Sequence, residues 1–254
     1  INPALAMGAD SDFVAVWQSD EGDGWGIYGQ RFSSLGERLG SEFRVNTTTG
    51  GHQIEPAVSL DAAGNFVVVW AGGGCRDAVY AQRFDASGNR LGGEVLVGGG
   101  GCDQEPRLAT AADGSFVVSW FSDDGNSAGV YARRYDAQGV ALGDRFLVNT
   151  TVLGYQSESA LGMSASGDFV VSWGGNGSND SYGNFARRYD SSGTALGSEF
   201  RVNTTTDLIQ QRPVLAMDSG GNWLAVWQSF GQDGDAYGVY AQRFTNPGGV
   251  VTPV

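Results

Sequence analysis

The sequence predicts an all-β protein, a five-bladed β-propeller whose blades are four-stranded antiparallel sheets. Three observations carry this. A unit of about 50 residues is written five times along the 254-residue chain, and a period of that size belongs to propellers, solenoids or arrays. Each unit divides into four strand-like pieces separated by turn signals, with no helical period. The second piece is apolar on both faces, as a strand must be when sheets stack on either side of it.

Aligned on a proline, the repeats begin at Pro3, Pro56, Pro106, Ser159 and Pro213. They span 3–55, 56–105, 106–158, 159–212 and 213–254, within one domain, 1–254. The first piece is short, as in PALAM and PAVSL. A tight turn follows, DAAGN at Asp61–Asn65 and DSGGN at Asp218–Asn222. Asp at its start can accept from backbone N–H groups ahead, and Gly near its end takes a positive φ. The second piece is FVAVW, FVVVW, FVVSW, FVVSW or WLAVW; in repeat two Phe66, Val68 and Trp70 face one side, Val67 and Val69 the other. A variable loop leads to the third piece, of the type VYAQRF. A second turn, Asp85–Asn89, leads to the fourth, of the type LGSEFRVNT. The fifth copy is cut short, so its outermost strand is expected to be incomplete or completed by another segment, and its edge at Val250–Val254 to be open to a partner strand. A β-helix has no need of hairpin turns at two fixed points, and separate domains of about 50 residues bury too little to fold alone.

Strand alternation puts both tight turns of a blade on one face, and the variable loop and inter-blade link on the other. Cys75 lies in the variable loop of repeat two and Cys102 in the link leaving it, hence on one face of one blade. A disulfide is expected there, closing a loop of about 27 residues and contributing roughly 3 kcal/mol. It implies an oxidising compartment, extracellular or at the cell surface.

A net charge of −13 and a pI near 4.3 lack the basic footprint of a nucleic-acid binder and disfavour docking on anionic lipid. No apolar run is long enough to span a bilayer, so no membrane insertion is expected. The 15 basic residues are all Arg, which the codon usage of a GC-rich genome would produce. The start at Ile1, without Met or a charged leader, reads as a mature or excised piece.

The variable loops are the place to look for function. One aligned loop position holds Trp25, Tyr182 and Tyr237. An aromatic face beside Asp, Asn and Gln is sugar-recognition chemistry; the alternative is a ring folded onto its own blade. Gln53, Gln156 and Gln210, in the links on the same face, either hydrogen-bond a ligand or satisfy loop backbone. Asp23, Asp233 and Asp235 offer hard oxygen ligands for Ca²⁺, without an EF-hand pattern, and no other cofactor is expected. Trp17, Trp70, Trp120, Trp173 and Trp227 are expected in inter-blade core. Arg31, Arg83, Arg134, Arg188 and Arg243 are expected to pair with the acids of the fourth piece, Glu42, Glu94, Asp144 and Glu199. Asn46, Asn149 and Asn203 open Asn-Thr-Thr links that read as loop capping. Catalysis finds little support: His52 is the one histidine, and neither a nucleophile elbow nor a P-loop is present. Paired carboxylates could form on one face as in glycosidases, but that chemistry asks for singular residues, and this chain repeats itself.

The phrase YAQRFDxxGxxLGxEFxVNTTT is carried by Tyr80–Asp85, Gly88, Leu91–Gly92, Glu42–Thr49 and Glu199–Thr206. It resembles repeats of large secreted or surface-attached bacterial proteins, across all five copies. The resemblance implies location more than activity. In architecture the chain looks like five-bladed lectins of the tachylectin-2 type, which bind one sugar per blade; the motifs differ, so no binding residue carries over. The expectation is therefore a secreted, non-catalytic, carbohydrate-binding (lectin-like) module acting through the variable-loop face. The alternatives are a structural or adhesive protein–protein module of a larger bacterial surface protein, and a glycoside-active enzyme. The expected partner is a glycan or another surface protein.

Overall fold

The computed structural model describes residues 1–22, 24–73, 78–99, 101, 103–177, 180–206, 208–246 and 250–251. Asp23, Cys75 and Cys102 lie outside them, and with these the expected disulfide and one candidate calcium ligand. Every regular element among the described residues is a strand. No helix is long and apolar enough to cross a membrane.

Five sheets of four antiparallel strands follow one another along the chain. The first holds β1 (Ala4–Met7), β2 (Phe13–Asp20), β3 (Trp25–Phe32) and β4 (Phe43–Arg44). The second holds β5 (His52–Leu60), β6 (Phe66–Gly73), β7 (Ala78–Phe84) and β8 (Val95–Gly99). The third holds β9 (Gln104–Thr110), β10 (Phe116–Ser122), β11 (Gly129–Tyr135) and β12 (Phe146–Leu147). The fourth holds β13 (Gln156–Met163), β14 (Phe169–Gly177), β15 (Asp180–Tyr189) and β16 (Phe200–Arg201). The fifth holds β17 (Gln210–Met217), β18 (Trp223–Phe230), β19 (Tyr237–Phe244) and β20 (Val250–Val251). Within each sheet, strands adjacent in sequence are adjacent in space.

In the fifth sheet Val250 stands opposite Phe244 and Val251 opposite Arg243. This is the register of the Phe32–Arg38 and Phe84–Arg90 bridges of the earlier sheets, whereas β4 pairs further along, at Tyr28 and Gly29. Among the described residues no strand takes the matching place beside Tyr240 and Ala241.

The chain forms two compact units, Ile1–Trp120 with Arg133–Asp144, and Phe121–Ala132 with Arg145–Val254. In the first, Val14, Val16 and Ile27 pack on Val58, Phe66, Val68 and Trp70. In the second, Val170, Ala186 and Val202 pack on Trp223, Ala225, Trp227 and Phe244. Strands β6, β10 and β14 are buried on both faces over their first seven residues, as their unbroken apolar runs require. Trp70, Trp120, Trp173 and Trp227 lie in this core, and Trp17 is half-buried.

The turns form as their sequences dictate. Asp61 Oδ1 accepts the Ala63 and Asn65 N–H groups, each at 2.9 Å, and Oδ2 accepts the Asn65 amide at 2.8 Å. The same pattern holds at Asp85 and Asp218. Asn89 amide and backbone bonds hold the Asp85 carboxyl below the usual carboxylate range.

Two of the repeated arginines, Arg31 and Arg83, bind backbone of the next sheet. Arg31 Nη1 donates to the Ser87 carbonyl at 2.6 Å, and Arg83 Nη1 to the Gln138 carbonyl at 2.5 Å, with Nη2 donating to Ala137. Gly139 permits this approach: its φ is +81°, and a Cβ there would stand 2.8 Å from Arg83 Cδ. The expected pairing of Arg83 with the acid of the fourth strand is thus replaced by a clamp on the next sheet's turn. That acid is engaged elsewhere. Glu94 accepts from the Thr47 and Thr48 N–H groups and, at 2.8 Å, from the Thr48 hydroxyl. Glu199 repeats this with Thr150 and Thr151.

Candidate functional site

The expected link glutamines are structural in their geometry. Asn46 Oδ1 caps the Ile27 N–H at 2.7 Å, Asn149 the Val130 N–H at 2.8 Å, and Asn203 the Asn184 N–H at 2.7 Å. The amides of Asn149 and Asn203 then donate to Gln156 and Gln210 at 3.2 and 3.1 Å. Gln53 accepts the Trp70 indole N–H at 2.9 Å and donates to Gly50 at 3.0 Å. All three glutamines are buried, with their amides occupied inside the protein. Of the two roles the sequence allowed them, the geometry displays loop satisfaction.

The loop aromatics differ from one another. Trp25 is half-buried at the start of β3, opposite Asp20. Beside it in β3, the Tyr28 hydroxyl donates to Glu21 Oε1 at 2.5 Å while Arg44 Nη2 meets Glu21 Oε2 at 2.6 Å. The bond to Glu21, then burial, raises the Tyr28 hydroxyl above its ordinary value. Tyr182 and Tyr237 are exposed. Tyr237 stands edge-on to Phe230 at 5.1 Å, and its hydroxyl accepts Gln211 Nε2 at 3.4 Å. Asp233 and Asp235 turn onto their own loop, accepting the N–H groups of Asp235 and Ala236. Among the described residues no three His, Cys, Asp or Glu side chains gather as a metal site would require.

A different position stands out. The residue just before each first-strand Pro or Ser has a left-handed backbone although it is not glycine: Asn2 (φ 48°), Glu55 (56°), Glu105 (49°), Glu158 (52°) and Arg212 (55°). Register shifts between Ile54 and Ala57, Ser157 and Ala160, and Gln211 and Val214 insert it as a bulge. A non-glycine residue there costs about 1–2 kcal/mol, and such strain concentrates at functional sites.

These residues are joined by a hydrogen-bond relay within each unit. In the first, Gln18 Oε1 accepts the Asn2 amide at 3.1 Å and the Glu55 N–H at 3.0 Å; Glu55 Oε2 then accepts the Glu105 N–H at 3.0 Å. In the second, Glu158 Oε2 accepts the Arg212 N–H at 2.8 Å, with Arg212 Nε 3.7 Å from Oε1. The three glutamates are half-buried, and the carboxylates of Glu55 and Glu158 are held by these bonds. The sequence reading passed over them. The available signal was the chemistry at one aligned position, which runs Asn, Glu, Glu, Glu, Arg across the five copies.

No protein-family model and no curated protein sequence matches the chain. Solved structures do. An α-L-arabinanase of Penicillium chrysogenum, solved with arabinobiose, superposes at TM-score 0.64 with 13% identity, over 90% of this chain and 76% of that one. An α-L-arabinofuranosidase of Fusarium graminearum gives 0.61 with 9% identity, over 95% and 80%. An α-L-arabinofuranosidase of Lactobacillus brevis gives 0.52 with 9% identity, over 100% and 94%. At these identities the likeness shows a shared, propeller-like all-β fold. It also corrects the leading functional expectation. The solved chains sharing the fold are named as glycan-cleaving enzymes, a finding against the expected non-catalytic, lectin-like binder.

Proposed function

We propose that this chain is a five-bladed β-propeller that cleaves glycosidic bonds, with Glu55 and Glu105 as its carboxyl pair. The observation that carries the reading is the left-handed, half-buried glutamate at the start of consecutive sheets, linked through the 3.0 Å bond from the Glu105 N–H to Glu55 Oε2. Two carboxyl groups flanking a sugar bond supply what hydrolysis needs. One gives its proton to the leaving-group oxygen. The other, on the opposite face of the ring, attacks the anomeric carbon or activates the water whose hydroxyl ends there. Glu55, already fixed as an acceptor, suits the second role and Glu105 the first.

The named activities of the structural neighbours support arabinose-containing polysaccharide as the first substrate class to try. Trp25 contributes an apolar face in the first unit and Tyr237 in the second. The repeat phrase and the disulfide expected from the sequence at Cys75 and Cys102 favour action outside the cell or at its surface.

The test is reducing-sugar release from arabinan, xylan and galactan. Glu55→Gln and Glu105→Gln should each cut turnover about 100-fold or more, the range of a lost acid–base group. Gln at 55 keeps an oxygen for the Glu105 N–H, so the melting temperature should hold. Absence of turnover by the wild type, or full turnover by both variants, would overturn the proposal.

A further inference from the structure

We propose that the outer edge of the fifth sheet is a slot for one added β-strand, and that its occupant is an extended segment of a partner chain reading Glu-Phe-Arg-Val-Asn.

The fourth sheet shows what such a segment does, in five consecutive residues. Glu199 lodges in the preceding link, accepting from the Thr150 and Thr151 N–H groups and the Thr151 hydroxyl. Phe200 and Arg201 pair with Ala186 and Phe185 on the edge of β15. The Val202 N–H donates to the Asn184 carbonyl at 2.8 Å. Asn203 Oδ1 accepts the Asn184 N–H at 2.7 Å. The first sheet repeats the pairing, the valine bond and the asparagine cap with Phe43, Arg44, Val45 and Asn46.

The fifth sheet has the same places. Counting by the repeat, Val239, Tyr240 and Ala241 stand where Asn184, Phe185 and Ala186 stand in the fourth. β20 pairs beyond them, at Arg243 and Phe244. Among the described residues no strand lies beside Tyr240 and Ala241 on this edge, and Val239 receives neither a valine N–H nor an asparagine cap. The Asn184 N–H and carbonyl both turn to the added strand, and backbone direction alternates along a strand. Val239 and Ala241 therefore present theirs to the slot.

A second feature lies beside this edge, in the same unit. The link leaving the fourth sheet is folded like the two that hold Glu94 and Glu199. Asn203 Nδ2 donates to the Thr205 carbonyl at 2.6 Å, as Asn46 does to Thr48 at 2.8 Å and Asn149 to Thr151 at 2.9 Å. Thr47 and Thr48 hold Glu94, and Thr150 and Thr151 hold Glu199. Thr204 and Thr205 are the matching pair, and among the described residues no carboxylate reaches them.

Together the socket and the edge specify the occupant. The acid comes first, the residues that pair with β19 follow at once, and a capping Asn closes the segment. The sequence holds four copies of this piece for five sheets, and each copy's strand lies in its own sheet. With every copy so engaged, the segment that fits is a partner's. Main-chain pairing along an open edge gives such a complex its affinity, and the side-chain sockets give it specificity.

The test is fluorescence anisotropy of the labelled nonapeptide Ser-Glu-Phe-Arg-Val-Asn-Thr-Thr-Thr, the sequence of residues 198–206, titrated with this protein. It should bind saturably at one site. Glu199→Gln in the peptide should weaken binding about 10-fold or more, the range for loss of a hydrogen bond to a charged group. Methylating the peptide's Phe nitrogen should abolish binding, since that N–H pairs with the edge. In the protein, Ala241→Pro removes an N–H that faces the slot and not β18; proline is tolerated on an edge strand, and binding should be lost. Thr205→Val, which should weaken binding about 5-fold, serves if Ala241→Pro fails to melt cooperatively. No binding of the first peptide, or equal binding of all three peptides, would overturn the proposal. So would a wild type that sediments at twice 26.6 kDa and takes up no peptide, the slot then being held by a second copy.

Discussion

The Thr48 hydroxyl donates to Glu94 Oε2 at 2.8 Å across 46 residues of sequence, tying the link that leaves the first sheet to the start of the last strand of the second. Glu199 does the same for Thr151 at 2.5 Å. Burial opposes ionisation of both glutamates, but the threonine backbone and hydroxyl donors outweigh it, so both carboxyls lie below their ordinary value of 4.5. A depressed carboxylate stabilises the fold above its unfolded pKa, and that contribution is lost as pH falls through the folded value. Melting temperature should hold steady down to about pH 5 and fall below that. Glu94→Gln with Glu199→Gln should lower the plateau and shallow the acid decline. A decline of unchanged depth in the double variant would contradict this assignment.

Tyr189 gives the alkaline counterpart. Burial raises its hydroxyl to about 12, against a smaller opposing effect of Arg187, whose guanidinium lies 5.6 Å from the ring centroid. The neutral phenol is the favoured form, so its contribution is present below the unfolded value of 10.0 and disappears as pH rises towards about 12. Tyr189→Phe should therefore melt with a weaker dependence on pH in that window. Spectrophotometric titration should lose its highest-titrating tyrosine.

Gly139 and Gly36 separate backbone strain from the arginine clamp. Both have positive φ, +81° and +79°, but a Cβ at Gly36 meets nothing within 4 Å. Gly36→Ala should cost only the left-handed penalty of about 1–2 kcal/mol. Gly139→Ala must also displace Arg83 and should cost about 1–3 kcal/mol more, the range of overpacking. Equal losses in chemical denaturation would show that Arg83 relaxes freely.

Gln53 tests the structural role of the link glutamines. Gln53→Leu leaves the buried Trp70 indole N–H without its acceptor and should destabilise by about 1–3 kcal/mol. Glycan turnover per folded molecule should be unchanged. A selective loss of turnover at constant stability would place Gln53 at the ligand instead.

Strands, turns and core tryptophans were legible because their causes are local. An Asp followed three and four residues on by Gly and Asn closes its own turn, as Asp61 and Asp218 do. Alternation of apolar side chains places Trp70 and Trp120 in the core. Partners set by stacking were not legible. Arg83 and Glu94 each reach a group some 50 residues away in sequence, on a neighbouring sheet, and the choice depends on the offset between sheets. Repeat counting therefore matched arginine to glutamate by charge, where the structure gives each a backbone partner. Glu55 and Glu105 escaped notice for a related reason. Their distinction is a left-handed bulge, which a Glu-Pro pair does not announce, since the residue before proline ordinarily stays extended.

Turnover of arabinan by wild type and Glu105→Gln, measured on samples matched for melting temperature, tests the catalytic reading most directly. The account predicts reducing-sugar release by the wild type and a fall of about 100-fold or more in the variant. Undiminished release by Glu105→Gln and Glu55→Gln alike would contradict it.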